Sequence, residues 1–319
     1  MLDELDELDE LDDLDRSGEL DKLDELAAAI ARHGSDMWSD TAVPRQRLVT
    51  IDEPGAPLDL LYEPMICFVV QGSKSSVAGD RSWTAGRGQV FLNSLVLPVT
   101  ATFEEVPYRS AVLRLDGGKL AELLLELEPD GTDQPAASGP GPVGPVTAPM
   151  TPEIIDVVTR WVRLLDTPRD IRPLAGRTET EILYRLLGTA LGPTLRHFTL
   201  DDSAAARVRT AARWICARFT EPLGIDEIAA TAHMSTASLH RNFKAATGMS
   251  PLTFQKHLRL QEARRLLLAG DTTAALVAEK VGYVSATQFN REYRRAYGLP
   301  PGRDAARLRN RLADAGRGA

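Results

Sequence analysis

Cysteine is scarce in this chain: Cys67 and Cys216 are the only two in 319 residues. Two thiols build no disulfide framework, and their spacing matches no metal-ligand pattern. Buried free thiols in a reducing cytosol are the expectation. Long apolar runs are missing as well. The absence of any stretch of about eighteen consecutive apolar residues excludes an ordinary membrane-spanning helix, and the N-terminus is acidic where a secretion signal would be basic. A cytoplasmic protein with no membrane partner is expected. Histidine is placed sparingly: His33, His197, His233, His240 and His257 are the five, and none falls between Leu48 and Leu115. That stretch therefore lacks the imidazoles a metal enzyme would use, and it holds no Ser/His/Asp or Cys/His set. No metal, no cofactor and no catalytic residue is expected.

Charge is present in quantity but unevenly spread. The formal net charge is −8. Residues 1–30 hold 13 acidic and 2 basic side chains, whereas residues 204–319 hold 19 basic and 9 acidic. A basic C-terminal third inside an acidic protein is the footprint of an anion-binding domain, and nucleic acid is the natural candidate.

Met1 to Leu26 is a run of Leu-Asp-Glu triplets. A period of three is neither the 3.6 of an amphipathic helix nor the 3.5 of a coiled coil, so its leucines drift around any helix they form. Residues 1–40 are expected to be a disordered acidic tail, and removal of Met1 to Leu26 is expected to leave folding intact. An acidic mimic that competes with DNA is the alternative. From Leu48 to Leu115 turn residues multiply and the period shortens. Met65 to Val70 is β-rich, Gly79-Asp80 reads as a hairpin turn, and Ala111, Leu113 and Leu115 alternate with Ser110, Val112 and Arg114. Many short strands with regular turns indicate a small barrel or sandwich over residues 41–128. Gly118 to Leu127 closes it as a helix.

Residues 129–150, rich in Pro, Gly and Ala, read as a flexible linker. Residues 151–202 read as helical. Thr151-Pro152-Glu153 opens one helix with an N-cap and an N1 proline, and Ile154, Val158, Trp161 and Leu165 follow at heptad-like spacing. A second helix is expected from about Thr178 to Leu191. A helical hairpin packed on the barrel and a dimer interface are both open readings. Gln71 and Lys74, polar residues near a strand end, could touch a ligand or be structural, and the sensor pocket stays unassigned.

Between Ile225 and Pro301 the chain says nearly the same thing twice. Moved forward by fifty residues, Ser235 to Pro251 falls on Ser285 to Pro301: Leu239 meets Phe289, Arg241 meets Arg291, Phe243 meets Tyr293, Lys244 meets Arg294 and Gly248 meets Gly298. One supersecondary unit is used twice. Each copy reads as two short helices joined by a tight turn, with Ser235 or Ser285 as N-cap of the second helix. Ser285 and Gln288 form a capping-box pattern. Leu239 with Phe243, and Phe289 with Tyr293, lie four apart on one buried face. The opposite faces carry Thr236, His240, Arg241 and Lys244, and Thr287, Asn290, Arg291 and Arg294. An apolar back with a polar, cationic front suits a helix that enters a major groove. Pro251 to Leu268 forms a connecting helix of about 27 Å, which suits two recognition helices about 34 Å apart.

The stretch from Ser203 to Leu308 resembles the paired helix-turn-helix domain of the AraC/XylS family of transcription regulators. The ending Val281-Gly282-Tyr283, Gln288 to Tyr293 and Gly298-Leu299-Pro300-Pro301 carries the likeness most specifically. His233 departs from it, since the family usually has Gly in that turn; His tolerates a left-handed backbone better than most residues. Tyr62-Glu63-Pro64, Gln71 to Lys74 and Leu95 to Thr100 look like the cupin-type sensor of one branch of the family. The resemblance implies an α+β protein: a small cupin-like barrel, a helical segment able to dimerise, and an all-α double helix-turn-helix domain over residues 203–312, with a tail at 313–319. Beyond Pro301, the arginines at 303, 307, 309 and 311 could touch phosphates or stay solvated.

By resemblance, Ala237, His240, Arg241, Thr287, Gln288, Asn290 and Arg291 occupy base-contact positions. Thr236 lies on the same face, while Lys244 and Arg294 suit phosphates. The implied partners are double-stranded DNA, a small-molecule effector, a second copy of the chain and RNA polymerase. A cupin-fold enzyme with an accessory DNA-binding module and an architectural DNA-binding protein are the rival readings.

Overall fold

The computed structural model describes residues 18, 20–127, 144–200, 203–270 and 272–315, with side chains described as far as residue 310. Two compact units divide the chain, Met1–Ala206 and Arg207–Ala319. An antiparallel sheet with helices makes up the first, and the second is helical.

Eight strands build the sheet: β1 (Trp38–Asp40), β2 (Gln46–Ile51), β3 (Leu58–Tyr62), β4 (Met65–Ala78), β5 (Arg81–Ala85), β6 (Gln89–Asn93), β7 (Leu97–Arg114) and β8 (Val146–Pro149). Their order is β1-β2-β7-β4-β6-β8, with β3 added on β7 and β5 on β4. The expected hairpin is present, Gly79 taking a φ of 58° between β4 and β5. In the first half of β4, Ile66, Phe68 and Val70 point into a core shared with helices, as do Leu48, Val90, Leu92, Ala111 and Leu113 of its neighbours. Cys67 and Val69 take the other face, which alternation requires.

Midway the alternation slips. The register of β4 against β7 shifts between Val69 and Gln71, between Gln71 and Ser73, and between Ser73 and Lys74. Gly72 sits in this bulge at a φ of 71°, where a Cβ would lie 2.3 Å from the Glu105 carbonyl oxygen. Beyond it Lys74 and Ser76 are buried and Val77 is exposed. Bulges bend a strand and re-aim its side chains. Here the far halves of β4 and β7, with β5 and β3, turn over the first half, and Lys74 points inward.

The acidic-tail expectation fails for residues 20–33, which form helix α1. Leu23, Leu26, Ala27 and Ile30 are buried in the core of the first unit. The triplet leucines hand over to Ala27 and Ile30 at helical spacing, and the result is one apolar stripe. Two of its acidic side chains are paired, Asp24 with Arg87 at 2.9 Å and Glu25 with Arg163. The linker expectation fails at its end, where β8 pairs with β6 from Gln89↔Pro149 to Leu92↔Val146. The rest of the linker, 129–143, lies outside the described residues.

Helix α2 (Gly117–Leu127) falls where expected, and α3 (Pro152–Arg163) starts with Thr151 accepting from the Ile154 amide. Helix α4 (Pro168–Leu187) begins ten residues before the expected Thr178 and contains Pro173 in its early turns; α5 (Gly192–Thr199) follows. Ile154, Val158, Trp161, Leu183, Leu186 and Leu187 are consumed in this unit's own core, so the heptad-like spacing of α3 records a seam with its neighbours in the same chain. Arg45, held at a φ of 62°, ties the turn before β2 to α4 through buried Glu179, which Lys119 of α2 also reaches at 3.4 Å.

In the second unit, α6 (Ala204–Arg218) is followed by α7 (Ile225–Thr231) and α8 (Thr236–Thr247), the long α9 (Pro251–Ala269), then α10 (Ala274–Lys280), α11 (Ala286–Tyr297) and α12 (Pro301–Ala315). Helix α12 passes the expected boundary at 312 and is no loose tail; Arg307 turns to Asp304 at 2.9 Å while Arg303 and Arg309 are exposed. Asp304 is fully buried and also receives Arg264 at 2.9 Å and the Tyr293 hydroxyl at 3.1 Å. This joins α9, α11 and α12.

Candidate nucleic-acid interface and barrel cavity

Each recognition helix is fixed at both ends by short-range chemistry. Ser235 accepts from the Ser238 amide and Ser285 from the Gln288 amide, while Gly248 and Gly298 close the helices in left-handed backbone at φ of 74° and 77°. Left-handed C-terminal glycines satisfy orphan carbonyls. The Gln288 side chain does not return to complete the capping box; it donates to Glu292 at 3.2 Å. Phe243 packs edge-on against Phe254 at 5.2 Å, and Phe289 against Tyr283 and Tyr293 at 5.3 and 5.5 Å.

With the apolar backs locked, the fronts are left to solvent. Ala237, His240, Arg241 and Lys244 are exposed on α8, with Thr236 half-buried at its start; Thr287, Gln288, Asn290, Arg291 and Arg294 are exposed on α11. Thr287, Asn290, Arg291 and Arg294 fall into one stripe at spacings of three and four.

The two turns are not copies. His233 (φ 52°) and Gly282 (φ 87°) hold equivalent places, their successors Met234 and Tyr283 donating to Ala229 and Ala278. From there to the N-cap serine the second turn has one extra residue, Val284, whose side chain is wholly exposed. A bare valine beside a recognition helix escaped the sequence reading because repeats were matched from the serines onward. Tyr283 is held by its hydroxyl donating to Glu292 at 2.8 Å; burial, then that carboxylate, pushes its ionisation above the ordinary phenol range. The Cys216 thiol, in α6, is pushed up to about 12 by burial, which makes it unreactive.

The first unit encloses a cavity of about 500 Å³. Tyr62, Cys67, Phe103, Tyr108, Val49 and Lys74 are among its walls. Lys74 is 5% exposed, with its Nζ 5.1 Å from the Tyr62 ring centre, 5.3 Å from Phe91 and 6.0 Å from Tyr108. Burial opposes its charge most strongly, while Tyr108, Tyr62 and Cys67 beside it and a hydrogen bond to Tyr62 act the other way. A ring face contributes up to about 2 kcal/mol to a desolvated cation. Lys74 thus lies inside a strand, not at a strand end, and Gln71 stands half-buried at the bulge away from the cavity walls.

Residues 42–194 match the family described as the AraC-type transcriptional regulator N-terminus, and residues 228–307 match a helix-turn-helix domain. The first unit carries the N-terminal domain of AraC-type regulators. Among AraC-family relatives, the HTH-type transcriptional activator RhaS of Escherichia fergusonii is 30% identical over 162 residues, which is 48% of this chain and 55% of RhaS. The HTH-type transcriptional regulator MtrA of Neisseria gonorrhoeae is 41% identical over 78 residues, 24% of this chain and 26% of MtrA. The matched part thus spans about half the length of RhaS and a quarter of MtrA. The solved structure of wild-type ToxT from Vibrio cholerae with unsaturated fatty acid bound shares the fold, at a TM-score of 0.52 over 82% of this chain and 93% of ToxT with 13% identity. Among the described residues no helix is long and apolar enough to cross a membrane.

Proposed function

We propose that this chain is an AraC-family, sequence-specific DNA-binding transcription regulator that works in the cytoplasm and answers to a small molecule held in the barrel. The carrying observation is the pair of exposed polar, cationic faces on α8 and α11, each backed by a locked apolar core. Arg241 and Arg291 sit where an arginine reaches guanine O6 and N7, worth about 1–3 kcal/mol of discrimination. Ala237 offers only an apolar contact, His240, Thr287, Gln288 and Asn290 offer hydrogen bonds to bases, and Thr236, Lys244 and Arg294 serve the backbone. RNA polymerase is the partner through which occupancy would alter transcription. A homodimer is part of the same reading, and Leu174 and Tyr184, exposed on α4, are its candidate contacts. Regulators, not enzymes, are the relatives, and the enzyme reading is set aside on that ground.

The test is binding to a duplex selected by footprinting upstream of the protein's own gene, against a panel of single-base changes. Arg241→Ala and Arg291→Ala should each weaken binding about 5- to 150-fold and relax preference at one base position. Lys244→Ala and Arg294→Ala should weaken all duplexes alike and reduce the salt slope by about one. Uniform loss across the panel for the two arginines would remove the base-reading assignment.

A further inference from the structure

We propose that the barrel cavity of the first unit takes a compact monocarboxylate with an aromatic or branched apolar body, and that the Lys74 ammonium is the counter-charge for its acid group. This deepens the effector reading above and rests on it. A lysine that is 5% exposed inside a strand has given up nearly all its water. Buried charges are ordinarily paired, because an isolated one is costly to desolvate. Among the described residues Lys74 has no ion pair; its neighbours are the rings of Tyr62, Phe91 and Tyr108. Ring faces favour a cation but do not neutralise it. One positive charge is left facing a cavity of about 500 Å³, a volume within the range of small-molecule sites.

The remaining wall defines the rest of the ligand. Trp38, Phe103 and Tyr108 form a chain of edge-to-face contacts at 6.5 and 4.8 Å along one side. Val49, Leu60 and Met65 line the cavity as well. Such a surface accepts a ring or branched hydrocarbon. Arg47, Arg114 and Glu63 also line it, so both signs are represented. Arg47 is committed to Asp40 at 2.9 Å, and Arg114 and Glu63 are exposed to water. Solvated charges select weakly. Discrimination by charge therefore falls to Lys74. The Tyr62 hydroxyl, fixed by Ser76 at 2.9 Å, stands beside it as a second hydrogen-bonding group.

The bulge at Gly72 supports a built site over an accident of packing. Without the register shifts between Val69 and Lys74, strict alternation would put residue 74 on the face of Phe68 and Val70. The shifts deliver a charged side chain to the interior, where an apolar one would be easier to bury.

The test is calorimetric titration of the full-length chain with benzoic, 3-phenylpropionic and 4-methylpentanoic acids, each compared with its primary amide at neutral pH. At least one acid should bind at least tenfold more tightly than its amide. In Lys74→Met that preference should fall below twofold. The melting temperature of Lys74→Met without ligand should match or exceed the parent's, since an unpaired buried charge has been removed. Amides binding as well as acids, acids failing to bind the parent chain, or acid preference surviving in Lys74→Met would each overturn the proposal. So would a melting temperature that falls steeply in Lys74→Met, which would make Lys74 structural. Duplex binding is measured on the same preparations. Loss of the acid result with selective duplex binding intact removes this inference alone, whereas acid binding without any duplex selectivity removes the regulator reading and leaves the site.

Discussion

His233 and Gly282 hold the same place in two turns, and the left-handed backbone there costs histidine more than glycine. His233→Gly should stabilise the second unit by about 1 kcal/mol, at the low end of such strain. Gly282→Ala should cost about 3 kcal/mol, at the upper end, because a Cβ there would also meet the Thr220 carbonyl oxygen at 2.0 Å. Urea unfolding followed by the fluorescence of Trp214 would rank the two against the parent, and equal effects would contradict the turn geometry. Residue-scale features of this kind were the most legible in the sequence. Serine caps, closing glycines and the tolerance of histidine for positive φ are set by neighbours within four positions. The capping box was half right, because Gln288 had a carboxylate at Glu292 to choose instead. Lys74 was misplaced for a longer-range reason. Its direction depends on a register slip against β7, some thirty residues away in sequence.

Helix α1 shows how composition can hide an element. The acidic triplets that run into it dominate the composition of the N-terminal stretch, yet a single stripe of Leu23, Leu26, Ala27 and Ile30 decides its fate. Leu26→Ala should cost about 2–5 kcal/mol, the range for large-to-small changes in a core, read by thermal melting of the full chain. Asp24→Asn should change stability by about 1 kcal/mol or less, because its pairing with Arg87 is largely solvated. Comparable losses from the two changes would contradict the docking of this helix, and deletion through Leu26 can no longer be expected to spare folding. Strand β8 was hidden differently. Four residues among prolines and glycines carry no period of their own, and only β6 gives them a place. By contrast α8, α9 and α11 were readable because their apolar period, caps and stops agree.

Across the molecule, charge is segregated between the acidic N-terminus and the basic second unit. If Lys244 and Arg294 both meet phosphates, a plot of log affinity against log salt should have a slope of about −2 or steeper. Fluorescence anisotropy between about 50 and 200 mM salt would measure it, and a shallow slope would contradict a two-helix footprint. The first unit depends on one buried charge cluster, in which Glu179 receives both Arg45 and Lys119. Glu179→Ala should cost about 3–5 kcal/mol, because it takes the buried carboxylate from Lys119 and leaves Arg45 with Asp116 alone; a drop in melting temperature confined to the first unit's transition would show it.

The pairing of Glu25 with Arg163 spans 138 positions of sequence. On a ribosome adding about 5–20 residues per second, helix α1 would emerge roughly 7–28 s before the arginine that anchors it. During that interval its apolar stripe has no partner on α3. The density of acidic residues around Leu23 and Leu26 then has a use unrelated to the finished fold: it keeps an early, sticky segment soluble and self-repelling until the chain that covers it has been made.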